Sequence, residues 1–141
     1  WFGEVEKAGN YGWNLLGWGG TNYDGTKIGP KWKQGYTKAI KYWTPSIGVS
    51  AITIYKGKEF EKWNGSALVT ALKDKSLRQL NFKNLLGVRE EIIFKNRIDR
   101  IREIEIHPTT GKVYFLSEKH YGGMGSEKDA LWVMENLSGS D

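Results

Sequence analysis

Arg100 and Arg102 have the residue type and the spacing that could bind an anion. If residues 98–106 form a β-strand, both arginines lie on one face, because side chains alternate along a strand with a period of two. Glu103 and Glu105 would take the opposite face. Three isoleucines would share the face of the arginines, namely Ile98, Ile104 and Ile106. The alternation therefore predicts two guanidiniums among apolar side chains.

Two buried charges of the same sign need a counter-charge, because an unpaired charge away from water is costly. Two sources of this counter-charge are possible. Carboxylates of the same protein would make the pair a structural ion-pair network, whereas a ligand with several negative charges would make it a binding site. Such networks are common in proteins, so the first explanation is favoured when the two arginines are considered by themselves.

The composition is that of a domain with a hydrophobic core, since 39% of the 141 residues are hydrophobic and 26% are charged. No apolar stretch approaches the roughly 20 residues that span a bilayer, and no signal peptide is visible. The lack of cysteine excludes disulfides, thiolate catalysis and cysteine-bound zinc. Because the chain does not begin with Met and Trp1-Phe2 is typical of mid-strand sequence, we expect a piece of a longer protein.

A net charge of +5 permits nucleic-acid binding, but basic and acidic residues are interspersed, which is typical of a solvated surface. Seven Trp, seven Tyr and five Phe could stack on bases or sugars, or could pack a core. Aromatic and basic residues interleave only around Trp32 and Trp43. A single-stranded nucleic-acid module therefore ranks far behind the functions considered below, and no nucleic-acid partner is expected.

The chain changes character near Ser50. Turn residues recur through 1–49, which indicates long connecting loops around one or two short strands. After Ser50, short apolar stretches alternate with turn residues and predict β-strands. The predicted strands are 51–56, 67–73, 77–82, 90–95, 100–106, 112–118 and 130–135. The segment 107–111, His-Pro-Thr-Thr-Gly, suits a hairpin turn whose Gly takes a positive φ.

The predicted strands repeat as units at an offset of about fifty residues. Four-stranded antiparallel units with this period are typical of propeller blades. We therefore predict a loop-rich part of one blade at 1–49, one blade at 50–97 and part of the last blade at 98–141. A blade cannot bury both of its faces alone, so neighbouring blades are expected as partners.

Four stretches together resemble the C-terminal part of the pyrroloquinoline-quinone (PQQ)-dependent soluble aldose sugar dehydrogenases, the glucose/sorbosone dehydrogenase family. Residues 8–13 resemble the family's G-x-N-Y-G-W-P. Residues 43–57 resemble W-x-P-S-x-x-x-S-x-x-x-Y-x-G, and residues 60–73 resemble F-P-x-W-x-G-x-L-x-V-x-x-L-K. Residues 99–114 resemble G-R-I-R-D-V-x-x-x-P-D-G-x-x-Y. Each stretch alone is a weak signal, but their order and spacing agree.

This resemblance implies an all-β, six-bladed β-propeller that uses PQQ and calcium. PQQ is a flat quinone with three carboxylates, so it is the multiply charged anion that the arginines could bind. The resemblance implies that Lys73, Arg100 and Arg102 bind PQQ and that Trp43 lies beside it. The family's general-base histidine and most calcium ligands precede the matched region, so neither a catalytic residue nor a metal ligand is expected in this chain.

The implied function is that of a quinoprotein oxidoreductase fragment, which oxidises the C1 hydroxyl of aldose sugars or related alcohols by hydride transfer to PQQ. The fragment alone is expected to be inactive. A sugar substrate, an external electron acceptor and the remaining propeller blades are the expected partners, with a periplasmic or extracellular location and no membrane span. The alternative is a non-catalytic propeller module that binds carbohydrate or protein. A histidine upstream in the full-length sequence would separate the two.

Overall fold

A computed structural model describes residues 1–82, 87–119 and 129–136. The chain forms two compact units, Trp1–Ile47 and Gly48–Asp141. Within the described ranges, no helix is long and apolar enough to cross a membrane. The two units are described separately below.

The first unit consists of loops and turns held by a few local contacts. Two isolated β-bridges, Phe2 with Lys41 and Thr21 with Lys27, close its main loops. The Tyr11 hydroxyl accepts a hydrogen bond from the Glu6 backbone N–H at 2.7 Å. The same ring stacks on Trp1 with the ring centroids 4.7 Å apart. Aromatic packing and turn hydrogen bonds therefore stabilise this unit in place of a sheet.

The second unit contains two antiparallel sheets. The first sheet has the strand order β1-β2-β3-β4, and the second has the order β5-β6-β7. The strands are β1 Val49–Ile54, β2 Ala67–Ala71, β3 Ser76–Asn81, β4 Arg89–Lys95, β5 Arg100–Ile106, β6 Val113–Glu118 and β7 Ala130–Met134. A single 3₁₀ turn, Glu61–Trp63, lies between β1 and β2. The prediction of an all-β fold is confirmed, with one four-stranded and one three-stranded antiparallel sheet in the described ranges.

The pattern of burial differs between the strands. All residues of β2 and the first five of β3 are buried, and both strands are short segments without alternation. In β6, by contrast, Val113, Phe115 and Ser117 are buried while the residues between them are not. This alternation is typical of a strand with only one covered face. Leu116, Leu131 and Val133 are accordingly exposed on the second sheet.

The hydrophobic core joins side chains from both sheets. The first sheet contributes Leu68 and Leu77, and Tyr55, the residue after β1, packs with them. The second sheet contributes Ile101, Ile104, Val113 and Phe115. Packing of this kind supplies most of the favourable free energy of folding. The position of β5 therefore depends on how its isoleucines fit this core.

Tyr55 links the two sheets through its hydroxyl group. It is fully buried, and its hydroxyl accepts a hydrogen bond from the Phe60 N–H at 2.9 Å and donates one to the Gly111 carbonyl at 2.8 Å. Gly111 has a φ of 79°, as expected for the glycine of the predicted 107–111 turn. A Cβ atom on Gly57 would lie 2.6 Å from the Gly111 Cα, so the two segments meet closely.

Replacement of Tyr55 by Phe should destabilise the second unit. The change leaves the Phe60 N–H and the Gly111 carbonyl without this partner, so we expect a loss of about 1–3 kcal/mol in the free energy of unfolding. Urea unfolding followed by circular dichroism measures the loss. Tyr114→Phe is the matched control because Tyr114 is only half-buried, and it should change stability much less. Equal losses in both variants would contradict the linking role of the hydroxyl.

Candidate functional site

A β-bulge in β5 decides where the two arginines point. Ile101 pairs with Ser117 and Glu103 pairs with Leu116, so Arg102 is an extra residue between two successive pairs. A bulge leaves the extra residue outside the ladder and changes the direction of the side chains around it. The strict alternation expected for residues 98–106 therefore breaks at Arg102.

The bulge separates the arginines from the isoleucines. Ile101 and Ile104 are both buried in the core, although they would lie on opposite faces of a regular strand. The side chains of Arg100 and Arg102 are 24% and 52% exposed. The prediction that both guanidiniums share a face with Ile104 is wrong, because the extra residue shifts the alternation by one position. The arginines are accessible to a ligand as a result.

Glu118 supplies a carboxylate to both arginines. It lies opposite Arg100 in the β5–β6 ladder. Its two oxygens lie 3.3 Å from Nη2 of Arg100 and 2.5 Å from Nε of Arg102. The hydrogen bond from Arg102 lowers the pKa of Glu118 below its ordinary value, and the bond to Glu118 raises the pKa of Arg102. Arg102 and Glu118 therefore stay charged at neutral pH, and both arginines bond to the one carboxylate of Glu118.

Lys73 lies in the turn between β2 and β3. Its side chain is exposed. Lys75 in the same turn forms an ion pair with Asp99 at 2.8 Å. The same Asp99 oxygen accepts a hydrogen bond from the Arg100 backbone N–H at 2.9 Å. The structure thus connects the turn that carries Lys73 to the strand that carries the arginines.

Gly48, which precedes β1, contacts the backbone of the β2–β3 turn that carries Lys73. Its carbonyl accepts a hydrogen bond from the Leu72 N–H at 2.7 Å. A Cβ atom on Gly48 would lie 3.1 Å from both the Cβ and the N atom of Lys73, and its φ of 65° favours glycine. The position of the Lys73 backbone is therefore set by close packing as well as by the Lys75–Asp99 ion pair.

Trp43 belongs to the first unit, whereas Lys73, Arg100 and Arg102 belong to the second. It is half-buried, and the neighbouring Thr44 hydroxyl donates a hydrogen bond to the Trp18 carbonyl at 2.9 Å. Cofactor contact by these four residues stays a prediction. The structure brings the turn of Lys73 and the two arginines together within the second unit.

A buried cluster around Arg78 carries charges that are already matched. Its guanidinium donates hydrogen bonds to Asp74 and, at 2.6 Å, to Glu90. Burial alone would lower the pKa of Arg78, but the bonds to Glu90 and Asp74 outweigh it and raise the pKa. Ser76 also accepts a bond from Arg78 at 3.0 Å. This cluster is a structural ion-pair network, and its donors face protein groups.

Glu118 and Ser50 were not identified from the sequence as part of the site. Glu118 could have been found from the hairpin turn, since β6 returns beside β5. An unbroken register from the Ile106–Val113 pair, however, would place Lys119 opposite Arg100. Ser50 is the second serine of the 43–57 motif, but its hydrogen bond to the backbone of β5 comes from another sheet, and no local pattern signals that contact. In the described ranges, no group of three or more acidic or histidine side chains could hold a metal ion.

Comparisons with known proteins give a consistent result. The sequence model of the family described as Glucose / Sorbosone dehydrogenase matches residues 2–125. A crystal structure of a glucose dehydrogenase is similar, with 30% identity and a TM-score of 0.74 over 87% of this chain and 34% of that one. The apo-form of a soluble aldose sugar dehydrogenase from Escherichia coli is similar with 32% identity and a TM-score of 0.70, over 81% of this chain and 33% of that one.

A curated relative from Synechocystis sp., described as an uncharacterized protein, is 27% identical over 122 residues, which are 84% of this chain and 28% of the relative. The chain therefore spans about a third of the length of the proteins that it matches. The matched region includes the strands and the turn that carry Lys73, Arg100 and Arg102.

The ion pair of Glu118 should make stability depend on pH in the acid range. The folded-state pKa of Glu118 is lowered, so its stabilising effect is complete above the ordinary value of about 4.3 and is lost as the pH falls through the folded-state pKa. Glu118→Gln should therefore be less stable than the wild type at neutral pH and lose this difference in acid. Urea unfolding across this range measures it, with Glu105→Gln, an exposed glutamate of β5, as the control. If the wild type and Glu118→Gln still differ in stability at a pH where carboxyl groups are protonated, the difference does not have an electrostatic origin.

Proposed function

Because the chain belongs to the glucose/sorbosone dehydrogenase family, we propose that it forms part of a PQQ-dependent enzyme that oxidises the C1 hydroxyl of an aldose sugar or a related alcohol. The observation that supports a role in cofactor binding is the arginine pair that the β5 bulge directs away from the core. Glu118 bonds to both arginines, and the ion pair of Lys75 with Asp99 ties the turn of Lys73 to the start of the same strand.

The donor set fits an anion with several carboxylates. A guanidinium has five N–H donors and can bind a carboxylate through two parallel bonds, so Arg102 can bind Glu118 and a ligand together. Lys73 is exposed, and Arg100 and Arg102 are partly exposed, so three cationic side chains of the second unit are accessible to an anion. A guanidinium is also more weakly hydrated than an ammonium and is well suited to partly buried anion sites.

The residues of this chain would hold and polarise the cofactor. The chemistry that PQQ supplies when bound is the acceptance of a hydride from the C1 carbon of the sugar. Arg100, Arg102 and Lys73 would bind its carboxylates and quinone oxygens and fix its orientation. Donors that are already in place stabilise negative charge that develops on an oxygen, without reorganisation during the reaction. The base that takes the hydroxyl proton and most of the calcium ligands are expected outside residues 1–141, so this chain alone would be inactive.

The remaining partners of the proposed enzyme follow from the same assignment. An external electron acceptor is needed to reoxidise the cofactor after each turnover. The exposed apolar side chains of Leu116, Leu131 and Val133 on the second sheet support packing against further propeller blades. A periplasmic or extracellular location, as the family resemblance implies, is part of the proposal.

One observation favours the alternative of a non-catalytic module that binds carbohydrate or protein. Glu118 already bonds to both arginines, as it would in a purely structural ion pair. A propeller of this family could keep such a pair after losing its catalytic groups, because a fold by itself does not determine chemistry.

Calorimetric titration of the full-length protein with PQQ in the presence of calcium tests the proposal, followed by sugar-dependent dye reduction. We expect binding by the wild type and a dissociation constant that rises roughly tenfold or more in Arg100→Ala and in Arg102→Ala. Arg97→Ala is the matched control, since Arg97 is an exposed arginine that precedes the same strand. Its affinity should equal that of the wild type.

Three results would contradict the proposal in different ways. No PQQ binding by the folded full-length protein would favour the non-catalytic module. Binding that is unaffected by both arginine variants would place the cofactor elsewhere. An equal loss in Arg97→Ala would mean that net charge, and not the arginine pair, determines the affinity.

A further inference from the structure

The backbone carbonyl between the two arginines is held by a side chain from the first sheet. Ser50 Oγ donates a hydrogen bond to the Ile101 carbonyl at 2.6 Å. Ser50 lies in β1, while Ile101 lies in β5 directly beside the extra residue of the bulge. β5 is an edge strand of its sheet, so this bond joins the strand that bears the arginines to a neighbouring sheet.

The hydroxyl of Thr70 completes this connection. Ser50 Oγ and Thr70 Oγ1 are 2.9 Å apart, and Thr70 is fully buried in β2. A carbonyl can only accept, so the single proton of Ser50 is used in the bond to Ile101. Thr70 must therefore donate to Ser50, since its contact with the Ala51 carbonyl is longer, at 3.5 Å. The two hydroxyls form a directed chain from β2 through β1 to β5.

The hydroxyls of Thr70 and Ser50 can stabilise the backbone of the β5 bulge. Hydrogen bonds in series polarise each other, and a partly buried site strengthens them. A bulge interrupts the ladder of its strand, so its backbone depends more than a regular strand on contacts from outside the ladder. The conformation at Ile101 decides in which direction Arg100 and Arg102 leave the strand.

We propose that Ser50 is a positioning residue for the arginine pair: its hydroxyl holds the β5 bulge so that Arg100 and Arg102 present their guanidiniums to an anionic ligand together. The inference rests on the proposed function for the identity of the ligand, PQQ, but the geometry of the pair can be measured without it. In this role Ser50 acts through the backbone of Ile101 and not by direct contact with the ligand.

Three substitutions separate the hydroxyl from the volume of the side chain. Ser50→Thr keeps the hydroxyl, whereas Ser50→Val has nearly the same shape as Thr and lacks it, and Ser50→Ala removes the hydroxyl without added volume. Ser66→Ala is the matched control, because Ser66 is a fully buried serine whose hydroxyl accepts a hydrogen bond from the Gln79 side-chain amide at 3.0 Å. Among the described residues, its hydroxyl makes no hydrogen bond to β5.

The first measurement is PQQ affinity by calorimetry in the full-length protein with calcium, together with urea unfolding of each variant. We expect the dissociation constant to rise roughly fivefold in Ser50→Ala and Ser50→Val, the effect of one ordinary hydrogen bond, and to stay near the wild-type value in Ser50→Thr. Ser66→Ala should lose stability without losing affinity. Equal affinity in wild type, Ser50→Ala and Ser50→Val would overturn the inference while leaving the proposed function intact.

The second measurement does not depend on the cofactor. Phenylglyoxal modifies accessible guanidiniums, and peptide mass spectrometry gives separate rates for Arg100 and Arg102. If the bulge relaxes and the pairing with Glu118 weakens, these rates rise in Ser50→Val relative to Ser50→Thr and stay unchanged in Ser66→Ala. If the wild type does not bind PQQ, the proposed function fails and these rates alone decide the positioning role. Equal rates in Ser50→Val and Ser50→Thr would then overturn it.

Discussion

The β-bulge in β5 is the constraint on which the site depends. The strand must place Ile101 and Ile104 in the core between the two sheets, and it must keep two guanidiniums out of that core. A regular strand with this sequence cannot do both, because residues three apart lie on opposite faces. One extra residue, Arg102, resolves the conflict and brings both arginines to Glu118. Core packing and the arginine–Glu118 cluster therefore require the same local distortion.

Charge balance around the bulge differs from that in the interior of the same unit. Arg78 is buried and meets the carboxylates of Asp74 and Glu90, so its charge is fully compensated. Arg100 and Arg102 share one carboxylate and are partly exposed. Arginines that stay partly accessible to solvent are the arrangement expected of an anion site, whereas a compensated buried cluster is a structural network.

Most of the fold could be predicted because the strands are short and separated by clear turn residues. All seven predicted strands are present, with ends that differ from the prediction by at most two residues. The hairpin at 107–111 was predicted for a local reason, the tolerance of glycine for a positive φ. The bulge was missed because it arises from the burial of both Ile101 and Ile104 in one core, and that core includes residues of both sheets.

The sequence by itself determined the strand positions, the family and the identity of the cationic residues, since these depend on local patterns and on matched motifs. The tertiary structure decided the partners of those cations. Glu118 faces Arg100 only because the bulge shifts the register by one residue, and Ser50 reaches Ile101 only because two sheets pack together. Contacts between residues about fifty positions apart depend on packing, and no local periodicity encodes them.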